Sequence, residues 1–206
     1  PPPPEECPER IWSGQMMSID EECFISPSEA TFDPIIEWSM STFTEYPFAI
    51  NSFNSPIVGN LTDDNNDGVL DSLDTPDIVT IQNDDPTRNW CSAGTEAGVL
   101  RLISGDGSEV FWSQRDFEYD GETWYANPGV TPAIADVDSD GEPEILFTIY
   151  QGKNINTARL VSIDSFGNVE WISTDSVNMD LGQPSGVPAG AISVGDLDQD
   201  GIGEVF

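Results

Sequence analysis

Three short stretches place carboxylates at alternating positions and end on glycine: TDDNNDG at 62–68, DVDSDG at 136–141 and DLDQDG at 196–201. A hard divalent cation takes six to eight oxygen ligands, which requires closely spaced carboxylates on a tightly curved backbone. Alternate residues of such a turn face inward, so ligands fall at positions 1, 3 and 5. Glycine at 6 permits the sharp bend, and a backbone carbonyl at 7 and an acid at 9 complete the set. The second loop supplies Asp136, Asp138, Asp140, Gly141, the carbonyl of Glu142 and Glu144. The third supplies Asp196, Asp198, Asp200, Gly201, the carbonyl of Ile202 and Glu204.

The first loop is longer, and two registers fit it. With Asp63 as position 1, Asn65, Asp67, the carbonyl of Val69, Asp71 and Asp74 follow at positions 3, 5, 7, 9 and 12. That is the spacing of an EF-hand-like loop with Asp as its terminal acid. The other register sets Asn60 against Asp136 and Asp196, and Asp77 against Glu144 and Glu204. We take the first register for the metal and leave Asp77 as a candidate for an extra ligand. A single acidic turn has a weaker alternative reading, a solvated turn with Asx hydrogen bonds and no ion. Three copies, each after an apolar strand, predict up to three Ca²⁺ ions. Mg²⁺ prefers few carboxylates and several waters.

The charge agrees. Thirty-eight acids face six basic residues, for a net charge of −32. Such a chain repels nucleic acid and anionic membranes, which are themselves polyanions. Carboxylates a few ångströms apart repel by about 1 kcal/mol in water and by several near a protein surface, and a bound cation relieves this. A content of 37% hydrophobic residues sets the chain apart from a disordered acidic tail. No run of 18 apolar residues occurs, so no membrane span is expected in this segment.

The elements that must position the loops repeat along the chain. Three tryptophans end similar short strands: Ile35-Ile36-Glu37-Trp38, Glu109-Val110-Phe111-Trp112 and Asn168-Val169-Glu170-Trp171. An acidic loop follows each by about 22 to 25 residues. Each loop follows a short apolar strand, 55–61, 131–137 or 189–197, and the first two run into the β-rich segments 76–82 and 144–150. Two hairpins complete the pattern, 98–104 with 108–114 around Gly105-Asp106-Gly107, and 158–164 with 168–173 around Ser165-Phe166-Gly167. Each unit thus supplies four strands in roughly 60 residues, the signature of a β-propeller blade. The predicted fold is all-β, with tandem four-stranded antiparallel blades over 31–206 and calcium loops at 62–74, 136–144 and 196–204. The segment holds an incomplete propeller, and both of its ends read as cut from a longer chain.

Residues 1–30 read as a Pro-rich, Cys-containing linker opening with four prolines, with a weak helical signal at 16–22. Of Cys7, Cys23 and Cys91, the simplest disulfide is Cys7–Cys23, with Cys23–Cys91 as the alternative. Asn60-Leu61-Thr62 is a sequon permitting N-glycosylation. The chain has no histidine, so a Cys/His zinc site and a Ser/His/Asp triad have no basis in this segment.

The units resemble FG-GAP/VCBS repeats, the calcium-loop blades of integrin α-subunits and of secreted bacterial surface proteins. The residues carrying the resemblance are PAIADVDSDGEPEIL (132–146) and AISVGDLDQDGIGEVF (191–206), with VGNLTDDNNDGVLDSLDTPDIV as a long variant. The Phe-Gly pair that names the repeat is absent before all three loops. The tryptophan segments also resemble those of quinoprotein propellers, and we read them as packing between adjacent blades.

The resemblance implies a propeller, Ca²⁺ and an extracellular or cell-surface location, without fixing one activity. The leading expectation is a non-catalytic module for adhesion, or for binding a glycan or protein. The alternative is a structural subunit of a fibre or surface layer, in which copies of the chain join through sheet contacts. A third reading, a polysaccharide lyase propeller, would draw on Lys153 and Arg159.

Overall fold

The computed structural model describes residues 34–83, 97–151, 154–177, 190–198 and 202–206, with backbone alone at 154–157. The chain divides into two compact units, Pro1–Glu37 and Trp38–Phe206, and the second holds every element below. Cys7, Cys23, Cys91, Lys153, Asp200, the 16–22 segment and the whole of the proposed linker, 1–30, lie outside the described residues.

All regular structure among the described residues is β-strand. In the first sheet, β1 (Asn51–Ser52) and β2 (Ile57–Gly59) pair with opposite ends of β3 (Asp77–Asn83). Strand β3 pairs with β4 (Val99–Ser104), and β4 with β5 (Val110–Gln114), all antiparallel. A hairpin follows, β6 (Asp116–Tyr119) and β7 (Glu122–Ala126), then a short β8 (Val130–Thr131). In the second sheet β9 (Ala133–Ala135), β10 (Glu144–Gln151), β11 (Asn154–Ile163) and β12 (Val169–Ile172) pair in succession. The β6–β7 hairpin joins its far end through Ile149 and Tyr150 of β10. A third copy opens with β13 (Gly190–Ala191), parallel to β8, and the antiparallel pair β14 (Val194–Gly195) and β15 (Glu204–Val205).

Two meanders, β2-β3-β4-β5 and β9-β10-β11-β12, are therefore structural repeats. They share even an irregularity. The ladder slips between Leu102 and Ile103 in one and between Ser162 and Ile163 in the other, each just beside the paired tryptophan. The near-continuous apolar runs of β4 and β10 follow from burial on both faces: β4 is wholly buried and β10 all but its last residue. Strands β5 and β12 are only half-buried or exposed.

One core draws on both sheets. Val79, Ile81, Leu100 and Leu102 meet Ile145, Phe147, Ile149, Val161 and Ile163, with Phe117 of the extra hairpin at 5.1 Å from the Phe147 ring. The inner strands touch where a Cβ on Gly59 would come within 3.0 Å of Ile134, and the sheets are bridged by Gly98 N–H to the Ala126 carbonyl at 3.0 Å.

Three features depart from the sequence reading. Residues 35–38 form no strand, since among the described residues nothing offers them a ladder partner. The β6–β7 hairpin went unread, although its turn is Asp120-Gly121, a pair suited to two positive φ values; these are 54° and 75°. Arg101, in the middle of apolar β4, is fully buried. Its guanidinium donates to Gln82 Oε1, Ser113 Oγ and the carbonyls of Glu45, Tyr46 and Ala49, and lies 3.9 Å above the Phe43 ring. It clamps the 43–49 segment onto the sheet, and burial lowers its pKa to about 10.

Turn packing supplies a test. A Cβ on Gly105 would stand 1.9 Å from the Pro76 carbonyl oxygen, whereas one on Gly121 meets nothing within 4 Å. Gly105→Ala is expected to cost about 3 kcal/mol in a urea melt. Gly121→Ala is expected to cost about 1 kcal/mol, through its positive φ alone.

Candidate metal centre

The acidic loops sit at the same place in each unit, between the first and second strands. The residue that opens the second strand fixes each loop mouth. Asp77, Glu144 and Glu204 pair across the ladder with Gly59, Ala135 and Gly195. Each carboxylate turns back to accept a backbone N–H on the far side of the loop: Leu61 at 3.0 Å, Val137 at 2.8 Å and Leu197 at 2.7 Å. The bonded residues are 16 positions apart in the first loop and 7 in the other two. At the mouth, therefore, Asn60 stands where Asp136 and Asp196 stand, and Asp77 where Glu144 and Glu204 stand.

The turn inside follows the other register. Gly68 N–H donates to Asp63 Oδ2 at 2.8 Å, and Gly141 N–H to Asp136 Oδ2 at 3.1 Å. Asp67 N–H meets Asn65 Oδ1 at 2.8 Å, as Asp140 N–H meets Asp138 Oδ1 at 3.2 Å. Val69 N–H meets Asp67 Oδ1 at 2.9 Å, as Glu142 N–H meets Asp140 Oδ1 at 2.8 Å. Positive φ falls at matching positions, Asn66 (59°) and Gly68 (86°) against Ser139 (63°) and Gly141 (94°). Both sequence registers thus describe the first loop, one for its turn and one for its mouth; the extra residues separate the two.

The structure brings two groups of acids together. One carboxylate oxygen from each of Asp136, Asp138, Asp140 and Glu144 lies within 4.8 Å of the others, and so do those of Asp196, Asp198 and Glu204. The Asp residues are exposed, Glu144 is buried and Glu204 half-buried. The first loop's acids form no such group among the described residues. They bind the loop's own backbone instead: Asp74, itself buried, accepts from Asp71 N–H at 2.8 Å, and Asp71 Oδ1 from Leu73 N–H at 2.7 Å. Asn60 donates its side-chain amide to the Asp71 carbonyl, so its nitrogen is engaged.

Electrostatics in the second loop favour a cation. Burial pushes the Glu144 carboxyl up to about 7; the charges of Glu170, Asp138 and Asp140 add to this and the Val137 N–H opposes it. Burial likewise raises Asp77, against hydrogen bonds from Leu61 and Thr62. Asp77 Oδ1 is buried without a hydrogen-bond partner, a costly state for a carboxylate oxygen. The candidate donors are all hard oxygens, which suit a hard cation rather than a soft metal.

Of the basic residues considered for lyase chemistry, Lys153 lies outside the described residues. Arg159 donates to the Ser173 and Thr174 carbonyls and lies 5.2 Å from the Tyr119 ring centre.

The chain is thus an all-β protein of repeated four-stranded antiparallel units, with an acidic loop between the first two strands of each. No protein-family model matches it, and no curated protein matches it. Among solved structures it is similar to the crystal structure of the V. cholerae biofilm matrix protein Bap1, with 26% sequence identity and a TM-score of 0.60. The match covers 83% of this chain and 25% of that one, so the chain spans a quarter of Bap1's length. No helix among the described residues is long and apolar enough to cross a membrane.

A pH prediction follows for the metal-free protein. The folded Glu144 carboxyl is pushed up to about 7, from an ordinary glutamate value of 4.5. The folded state therefore binds the extra proton between these values. Stability is full below pH 4.5 and declines as pH rises toward 7. Glu144→Gln should flatten that decline in thermal melts recorded in chelator.

Proposed function

We propose that the chain is a Ca²⁺-stabilised, non-catalytic extracellular module of β-propeller blades that serves adhesion within a surface matrix. The observation that carries the reading is the second loop. There, three exposed aspartates and a buried glutamate converge within 4.8 Å, between two paired strands. Ca²⁺ across Asp136, Asp138, Asp140 and Glu144, and across Asp196, Asp198 and Glu204 with Asp200, offsets their mutual repulsion and stiffens the loop mouths. The carbonyls of Glu142 and Ile202 stand at the turn position that completes each set. The first loop, from Asp63 to Asp74, is a third candidate that already closes through its own backbone.

The extracellular and adhesive part rests on the likeness to a biofilm matrix protein and on a −32 charge that suits a Ca²⁺-rich space. On this reading the blade faces bind a matrix glycan or protein. Catalysis has no place in it: the chain has no histidine, and its paired carboxylates are better used as ligands.

Calcium titration by calorimetry is expected to find at least two ions, and one fewer in Asp138→Ala. At 100 times the dissociation constant each site adds about 2.7 kcal/mol, which raises the melting temperature by several degrees. A melting curve that is the same in chelator and in calcium overturns the metal reading. Adhesion is tested by retention of the chain on immobilised polysaccharides and matrix proteins. Binding with calcium and release in chelator are expected; retention on neither surface overturns the adhesive role.

A further inference from the structure

Residues 39–46 form no strand, yet they run beside β5 and are fastened at both of its ends. At one end the Trp38 indole N–H donates to the Gly105 carbonyl at 3.0 Å. At the other, Arg101 Nη1 donates both to the Glu45 carbonyl and to Ser113 Oγ. Between the two fastenings lies a cavity of about 560 Å³, a volume usual for ligand sites. Phe43, Phe111 and Trp112 give it apolar walls, and the exposed Thr44, Glu45 and Glu109 give it polar ones.

The walls are fixed from behind. Arg101 is fully buried, and its five N–H donors meet five acceptors, so none is left for a ligand. Its guanidinium lies 3.9 Å above the Phe43 ring. The Trp112 indole N–H donates to the Ser165 carbonyl at 2.8 Å, and its ring lies against Gly167, where a Cβ would come within 3.5 Å. Phe111 is the extra residue of the ladder slip, since Leu102 pairs with Trp112 and Ile103 with Val110. A bulge of this kind re-aims the side chain it carries.

The repeat does not account for these residues. In the second sheet the extra residue is Glu170, which accepts from Ser162 Oγ at 2.9 Å, and Val161 stands where the first sheet has Arg101. The bulged aromatic and the buried cation behind the cavity therefore distinguish the first unit from the second.

The lining chemistry selects the occupant. Aromatic side chains offer apolar surface to the C–H face of a sugar ring. The Glu45 and Glu109 carboxylates accept hydrogen bonds from sugar hydroxyls, and charge makes these the stronger kind. No Lys or Arg is among the described lining residues, and a net charge of −32 repels an anionic ligand. We infer that this cavity is a subsite for a neutral saccharide. The inference rests on the glycan-binding reading for the class of ligand and on the cavity for its place.

The test is calorimetric titration of the 206-residue chain in calcium buffer with neutral hexasaccharides of glucan, mannan, galactan and N-acetylglucosamine. Oligogalacturonate is the acidic control, and an extended Val-Thr peptide the competitor for the β5 edge. At least one neutral sugar is expected to bind, and the acidic one to fail. Thr44→Trp, an exposed substitution that fills the cavity, should weaken binding roughly tenfold or more. Glu109→Gln should weaken it about threefold at an unchanged melting temperature, and it decides the matter should Thr44→Trp not fold. No neutral sugar bound, equal binding of oligogalacturonate, affinity indifferent to the substitutions, or displacement by the peptide overturns the inference. Retention on immobilised polysaccharide that Thr44→Trp leaves unchanged upholds the adhesive role and overturns the subsite. Absence of calcium-dependent retention, with free neutral sugar still bound and Thr44→Trp abolishing it, overturns the adhesive role and upholds the subsite.

Discussion

One carboxylate at the start of the second strand of each unit holds the surrounding structure in register. Asp77, Glu144 and Glu204 each accept a backbone N–H from the opposite lip of the acidic loop. A loop whose bonded ends stand 7 or 16 positions apart is thereby pinned at its base, whatever its length. The cost is a negative group placed where water is scarce. It appears in the raised pKa of Glu144 and Asp77 and in the unpartnered Asp77 Oδ1. Exposed aspartates then crowd the same point, which makes the site favourable to a cation and unfavourable without one.

The second constraint lies between units. Successive sheets share a core, but directional contacts fix their relative position: tryptophan N–H groups on turn carbonyls and rings on turn glycines. Hydrophobic burial alone is non-directional and would let one sheet slide on the next. Arg101 plays a comparable part at the start of the first unit. Its guanidinium gathers the backbone carbonyls of Glu45, Tyr46 and Ala49.

The repeat itself was legible because its signals are local. Apolar runs, Gly-containing turns and D-x-D-x-D-G loops follow one another at fixed spacing, and the strands of both complete units lie where that spacing puts them. The β6–β7 hairpin was equally local, with Asp120-Gly121 at its turn, but it falls outside the four-strand period and so escaped a reading organised by that period. Trp38 shows the opposite failure. Its sequence looks like that of Trp112, yet 35–38 is no strand, because pairing depends on a neighbour that the local sequence does not contain.

Sequence alone determined the all-β class and the place of each acidic loop between two strands. These follow from residue type and short-range spacing, which the backbone obeys wherever it is placed. Only the tertiary structure decided how the first loop is aligned. A strand ladder fixes Asn60 and Asp77 at its mouth, while hydrogen bonds within the turn fix Asp63 and Gly68 at its tip. No single linear register holds both, because inserted residues loop out between two points that are adjacent in space. The meaning of the tryptophans was settled in the same way. Their acceptors lie 53 and 67 residues away, a distance that only packing closes.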